Sequence, residues 1–197
     1  MRKNILAIAF ILCVFGLLVL NRVYVGPQGE VRVARDTGTS YSIGQTFLRG
    51  ETVRTGQGEF LEIAFGDSVR ISLDENSNLH LKSFSTNALR VGFGHGRILV
   101  VSEDRSEIEV DTPTAKNKLE SFQEEARATF IGYDFKKMTS VIPLAGLIKT
   151  TIPLLNQTFE VASPITIHDV NPPTVEEIVF DEKSDARKEF YVWAEGK

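Results

Sequence analysis

The stretch Glu59-Phe60-Leu61-Glu62-Ile63-Ala64-Phe65-Gly66-Asp67-Ser68-Val69-Arg70-Ile71-Ser72-Leu73 decides the fold class. Leu61, Ile63 and Phe65 fall on one face of an extended chain, with Glu62 and Ala64 on the other. Gly66-Asp67-Ser68 supplies turn chemistry. Val69, Ile71 and Leu73 then alternate with Arg70 and Ser72, so the two runs read as a β-hairpin. The pattern continues outward. Asp74-Glu75-Asn76-Ser77-Asn78 reads as a polar turn, and Leu79 and Leu81 resume the alternation. Leu89, Val91 and Phe93 make another strand, read as ending at Gly94-His95-Gly96, followed by short apolar runs at Ile98–Val101 and at Ile108 and Val110. Strands recurring every eight to twelve residues or so, with turn residues between them, predict an all-β domain. An antiparallel sandwich, a barrel and a short β-solenoid all fit that spacing.

Only one internal segment favours a helix, residues 116–128, rich in Lys, Glu, Gln and Ala and free of Gly and Pro. Beyond it, Thr129–Phe135, Thr139–Ile142, Leu147–Ile152, Thr158–Val161 and Ile165–Val170 return to strand character. Asn171-Pro172-Pro173 marks a boundary. The segment after it, 174–195, fits a terminal hairpin or a helix.

The N-terminus sets the topology. Ile5 to Leu20 carries no charge and no strongly polar side chain, and as a helix it covers about 24 Å. With Arg22 snorkelling and Val23 to Val25 included, the run matches the roughly 30 Å hydrocarbon core. Tyr24 then sits at headgroup level. A cleaved signal is the alternative, with Arg2 and Lys3 as its basic region, but the bulky Val23, Tyr24 and Val25 supply no small-residue cleavage pattern. Leu12 makes a poor neighbour for a lipid-modified Cys13. A retained signal-anchor over 1–25, spanning with residues 5–25, is the expectation. The basic pair before the span places the N-terminus inward and the remainder outside the cytoplasm. Four residues precede the span, so no cytoplasmic domain is expected. The expected organisation is an anchor over 1–25, a juxtamembrane linker over 26–40, a β domain over 41–170, and a C-terminal tail or hairpin over 171–197.

Charge and cysteine usage remove several function classes. Arg2, Lys3 and Arg22 are the bases of the first 22 residues, which contain no acid, leaving 19 bases against 26 acids in the rest. An acidic body of this kind is a poor nucleic-acid or anionic-lipid surface. Cys13 is the one cysteine, so no intrachain disulfide and no thiolate zinc site can form.

Several stretches together resemble the FecR domain family. Gly50-Glu51-Thr52-Val53-Arg54-Thr55-Gly56 is similar to its opening element, and Glu59–Phe65 to the strand that follows. Val69–Leu81 resembles the next strand and its Asn-Ser turn. Gly96-Arg97-Ile98-Leu99-Val100 resembles a later Gly-Arg element, and Val110-Asp111-Thr112-Pro113-Thr114-Ala115 the Thr-Pro-Thr-Ala signature. The resemblance covers about residues 44–115, more loosely to 170. It departs at Gly66-Asp67-Ser68, where Asp-Gly-Ser is usual, and after Ala115, where the usual Val-Arg-Gly-Thr element is missing. The resemblance implies a bacterial, extracytoplasmic, non-enzymatic binding or sensory module. The family's sigma-factor control through a cytoplasmic segment is not carried over.

Catalytic patterns are lacking in the sequence. His80, His95 and His168 show no ligand spacing. Asp74-x-Asn76-x-Asn78 begins like a calcium loop, but Leu79 stands where glycine is needed and Ser85 where glutamate is needed. Gly92, Gly94 and Gly96 lack the strand-to-helix context of a phosphate cradle. Asp67 and Asp74 are an acid pair that nothing singles out. No cofactor and no metal is expected. The remaining signal is apolar: Val141, Ile142, Leu144 and Leu147, and Leu154 and Leu155, lie in runs that Pro143 and Pro153 confine to edges, bulges or loops. They are either core residues or a partner-binding edge. The expected partner is a protein or a cell-envelope polymer, with strand addition as the mode. A lipid-transport bridge built on a β-jelly-roll is the rival expectation. It requires an apolar groove lined by residues such as Leu61 and Ile71.

Overall fold

The computed structural model describes residues 29–103, 106–120, 125–133 and 137–196. The expected membrane span lies outside them, and among the described residues no helix is long and apolar enough to cross a membrane. The described residues form fifteen strands: β1 (Val31–Thr37), β2 (Thr46–Phe47), β3 (Thr52–Arg54), β4 (Phe60–Phe65), β5 (Val69–Leu73), β6 (Asn78–Ser85), β7 (Ala88–Ser102), β8 (Glu107–Asp111), β9 (Lys116–Glu120), β10 (Ala126–Tyr133), β11 (Met138–Ala145), β12 (Leu147–Ile152), β13 (Gln157–Val161), β14 (Ile165–His168) and β15 (Thr174–Glu177). An α-helix, α1 (Lys188–Ala194), follows near the C-terminus. Neighbouring strands pair antiparallel except β7 and β8, which run parallel. The β4–β5 hairpin forms as its alternation predicts, with Ile63 opposite Ile71.

β7 organises the rest. Its first half, from Ala88, pairs with β6 and β8; its second half, to Ser102, pairs with β5 and β10. The sheet therefore folds through β7 into two layers around one core. One layer holds β3, β6, β8, β9, β12 and β13; the other holds β1, β2, β4, β5, β10, β11, β14 and β15. Inward residues of both layers, among them Leu61, Ile71, Leu79, Val91, Val110, Phe130, Ile148 and Ile167, pack as one cluster.

The expected end of a strand at Gly94-His95-Gly96 is instead a bend within β7. Positions facing the inner core are odd before it (Leu89, Val91, Phe93) and even after it (Ile98, Val100). One additional residue must be absorbed there, as in a bulge. Gly96 absorbs it at φ +100, where a Cβ would lie 2.7 Å from Ser77 Cβ. Asn78 Oδ1 accepts from the amides of Gly94 and His95, and Ser77 Oγ accepts from the amide of Arg97, so the bend is stapled from β6 and the turn before it.

The helix expected over 116–128 does not form. Lys116–Glu120 is β9 and Ala126 onward is β10. Burial follows a period of two, with Asn117 and Leu119 and then Ala126, Ala128 and Phe130 inside. Asn117 Nδ2 donates to the Val110 carbonyl at 3.1 Å, and its Oδ1 accepts from Thr150 at 2.9 Å. Pairing with β8 and β12 overrides the modest helix preference of Lys, Glu and Ala. In the segment left open at 174–195 the terminal hairpin does not form: β15 pairs back onto β14, and residues 188–194 are helical. Residues 31–37, within the stretch read as linker, are β1, whose Val31 and Val33 are buried.

The C-terminal segment crosses the outer face of β4, β5, β7, β10 and β11. Phe190, Tyr191 and Ala194 bury one side of α1 against Leu99, with Phe60, Val101, Leu144, Phe180 and Trp193 around them. Four arginines fix it. Arg35 reaches Glu62 at 2.6 Å and donates to the carbonyls of Trp193 and Ala194. Arg97 pairs with Asp185 at 2.6 Å and donates to the Tyr191 hydroxyl. Arg127 holds Glu182 and Glu195. Arg187, on the segment itself, makes two hydrogen bonds to the buried Asp74.

Candidate partner interface

β2, β3, β13 and β15 are edge strands among the described residues; β2 and β3 are only two and three residues long, and β13 and β15 end the main sheet path. Among the described residues each has a strand neighbour on one side only. Exposed backbone groups at such edges can pair with another chain. The β13 and β15 edges differ in chemistry. All four residues of β15 are exposed, and Glu176 and Glu177 give it like charges. In β13, Gln157, Thr158 and Glu160 are exposed, while Phe159 packs on the core and Val161 is buried. It therefore offers an amphipathic edge.

Beside β13, Pro153–Leu155 forms a single 3-10 turn. Asn156 closes it at φ 50, its N–H donating to the Pro153 carbonyl at 3.2 Å. Leu155 packs on the core, and Leu154 is 71% exposed. Pro153 and Leu154 flank an open cleft of about 390 Å³ with Lys82, Asp111, Thr112, Pro113, Thr114, Ala115, Lys116 and Asp169. The Thr-Pro-Thr-Ala stretch is the turn between β8 and β9, which explains its residue types. The Thr112 N–H and Oγ1 both donate to the Ala115 carbonyl, and Asn117 Nδ2 reaches Thr112 Oγ1 at 3.4 Å.

Asp111 anchors the charged side of the cleft. Its Oδ2 accepts from Lys82 at 2.6 Å and from Arg90 at 2.9 Å. Gly92, opposite Asp111 on β7, leaves the space that the Lys82 chain crosses; a Cβ there would lie 2.8 Å from Lys82 Cε. Burial pushes the Asp111 carboxyl up, but the hydrogen bonds and charges of Lys82 and Arg90 outweigh it and hold the group below the usual aspartate range. The hydrogen bond and charge of Asp111 in turn raise the Arg90 guanidinium. This arrangement is an ion-paired surface.

Of the six apolar candidates, Val141 and Ile142 are completely buried in β11, between β10 and β14. Leu144 packs beside α1, and Leu147 begins β12 half-buried. Leu154 and Leu155 lie together at the 3-10 turn. Leu154 is the most exposed of the six. The histidines are dispersed: His80 contacts Thr52 at 3.1 Å, His95 packs edge-on to the Tyr133 ring, and His168 is 3.7 Å from Glu176. Asp67 and Asp74 stand at opposite ends of β5, the first paired with Arg32 and the second with Arg187. Among the described residues no group of three or more His, Cys, Asp or Glu is arranged to hold a metal ion. The Asp111–Lys82–Arg90 cluster was not legible in the sequence. Its members are far apart in the chain and only strand register brings them together.

Fold and surface thus define an all-β module. The family described as FecR protein matches residues 51–129, from just before β3 into β10, and that region carries the resemblance read from the sequence. No curated protein matches the chain. Two crystal structures of a "putative anti-sigma factor" from Parabacteroides distasonis ATCC 8503 are similar to it, each with a TM-score of 0.54, at 16% and 15% identity. Each match covers 74% of this chain and 65% of that protein, so the chain spans less than two thirds of its neighbour's length. At these identities the likeness is one of fold. β11 to β15 and α1 lie beyond the family match.

Proposed function

We propose that the chain is a membrane-tethered, extracytoplasmic, non-enzymatic binding module of FecR type, acting in bacterial regulation or sensing through contact with a protein. Residues 5–25 form the tether, and the described body stands outside the cytoplasm. The observation that carries the docking mode is the amphipathic edge of β13 beside the exposed Leu154. An extended partner segment adds to that edge, taking affinity from main-chain hydrogen bonds and specificity from side-chain contacts with Leu154 and the neighbouring cleft. The FecR match and the anti-sigma-factor description of the structural neighbour support a regulatory protein as the partner class.

The test places a photoreactive amino acid at Leu154, at Thr158 or at Asp67 in the full chain, in its native membrane. A discrete crosslinked protein at 154 and 158, lost on Leu154→Asp with the melting temperature unchanged, is the expected result. Crosslinking at 154 and 158 no stronger than at 67 rejects the β13 edge. The rival lipid-transport reading gains no support, because Leu61 and Ile71 are packed in the core rather than exposed along a groove.

A further inference from the structure

We infer that the body is held with a fixed pole toward the membrane: the end bearing the Gly66–Ser68 and Ser85–Asn87 turns faces the bilayer, and the end bearing Leu154 and the Thr112–Ala115 turn points away. The inference rests on residues 5–25 being the tether, and adds to that reading an orientation and a lipid-facing surface.

The chain enters the body as a fixed strand rather than a loose linker. A Cβ at Gly29 would lie 2.7 Å from the Ser85 carbonyl oxygen and would strike the Phe65 ring, so the backbone passes directly over the ends of β4 and β6. The Glu30 carbonyl accepts from the Gly66 amide at 3.3 Å. Val31 is then buried and paired with both Phe47 and Phe65. Between Val25 and Gly29 stand only Gly26, Pro27 and Gln28, which bridge at most about 14 Å when fully extended.

Register identifies what shares that pole. Phe65 is opposite Val31, Ser85 is opposite Ala88, and Ala88 is level with Glu107. Ser102 is level with Val69 and Ala126. At the other end of the same strands lie the Asp111–Lys116 hairpin, Tyr133, the 3-10 turn and His168. An eight-residue strand such as β10 covers about 27 Å, so the two poles stand well beyond headgroup thickness from one another. A three-residue connection keeps the near pole within about 14 Å of the lipid, so the far pole reaches it only if the body lies on its side.

Proximity comes from the connection and not from lipid affinity. The near pole carries balanced pairs, Arg32 with Asp67, Arg70 with Glu103 and Lys118 with Glu107. Among the described residues it has no basic cluster of the kind that binds anionic headgroups.

The experiment uses the full chain with Cys13→Ser, reconstituted in phosphatidylcholine vesicles containing a nickel-chelating headgroup. Nitroxide labels are placed at Asp67→Cys, whose side chain is 98% exposed, or at Gln157→Cys, also exposed. The label at 67 should be relaxed by surface nickel several-fold more strongly than the label at 157. Inserting about 15 flexible residues between Gln28 and Gly29, which adds roughly 20 Å of mean reach, should remove most of that difference. Equal relaxation in the uninserted chain, or stronger relaxation at 157, overturns the orientation while leaving the tether intact. Failure of the chain to float with vesicles overturns the tether and the orientation together.

Discussion

On the outer side of β4, β5, β7, β10 and β11, the residues Glu62, Ser72, Leu99, Thr129 and Ile142 are all buried, polar and apolar alike. On the outer side of β6, β8, β9 and β12, His80 and Lys116 are exposed, and Lys82, Glu109, Lys118 and Lys149 are half-exposed. Both faces belong to one sheet and both alternate in sequence. They differ because one is roofed by the C-terminal segment and the other is open. The roofed face needs every charge satisfied, and Arg35, Arg97, Arg127 and Arg187 do this with short, partly buried pairs. The open face tolerates pairs that water also solvates, such as Lys118 with Glu107. A surface available for partners therefore sits on the unroofed layer and its β13 edge.

Substitutions test that difference directly. Phe190 is completely buried beneath α1, so Phe190→Ala should cost about 3–5 kcal/mol by denaturant unfolding, whereas His80→Ala on the open face should stay within about 0.5 kcal/mol. Similar costs at both sites would remove the distinction between the faces. Asp74 is buried and holds Arg187 through two hydrogen bonds, so Asp74→Asn should lose roughly 2–3 kcal/mol. Asp67→Asn, at an exposed pair, should lose no more than about 0.5 kcal/mol.

Acid titration sharpens the contrast, because carboxylates of the two regions shift in opposite directions. Asp111 lies below its ordinary range in the folded chain, so its pairing stabilises above the unfolded aspartate value near 4 and is lost as pH falls through the lower folded value. The stability difference between wild type and Asp111→Asn should hold at about 1 kcal/mol, limited by solvent screening, from neutral pH down to pH ~5, and shrink below pH ~4. Glu182, on the C-terminal segment, is raised, mainly by burial and further by Glu195 and Asp181, against the pull of Arg127. Its ionised form is disfavoured in the fold, so that cost is present above the raised folded value and fades as pH falls toward the unfolded one. Relative to Glu182→Gln, the wild type should gain a few tenths of a kcal/mol on acidification. Parallel pH profiles for the two variants would contradict the assignment.

The inward half of the fold was readable from alternation. Leu61, Ile63 and Phe65, and Val69, Ile71 and Leu73, are buried as the hairpin pattern requires. The outward half was not, because what covers Glu62 or Ile142 is a segment more than forty residues away in the chain. That is also why Ile142, which looked eligible for an exposed apolar edge, is buried, while Val141 points into the inner core. Residues 116–128 misread for a related reason: their Lys, Glu, Gln and Ala favour a helix locally, and pairing with the distant β12 and with β8, including the bonds of Asn117 to Thr150 and Val110, selects the extended form. The family signature was readable, and so was Leu154 as a candidate. The Asp111 cluster required strand register.

β7 gives the two layers a single shared strand, so neither can open while the other stays closed. Amides of β6 and of β10, on opposite layers, are bonded to the same fifteen residues. They should exchange with deuterium through one global opening event, at matching free energies, rather than as separate foldons. A module built this way should melt as one unit.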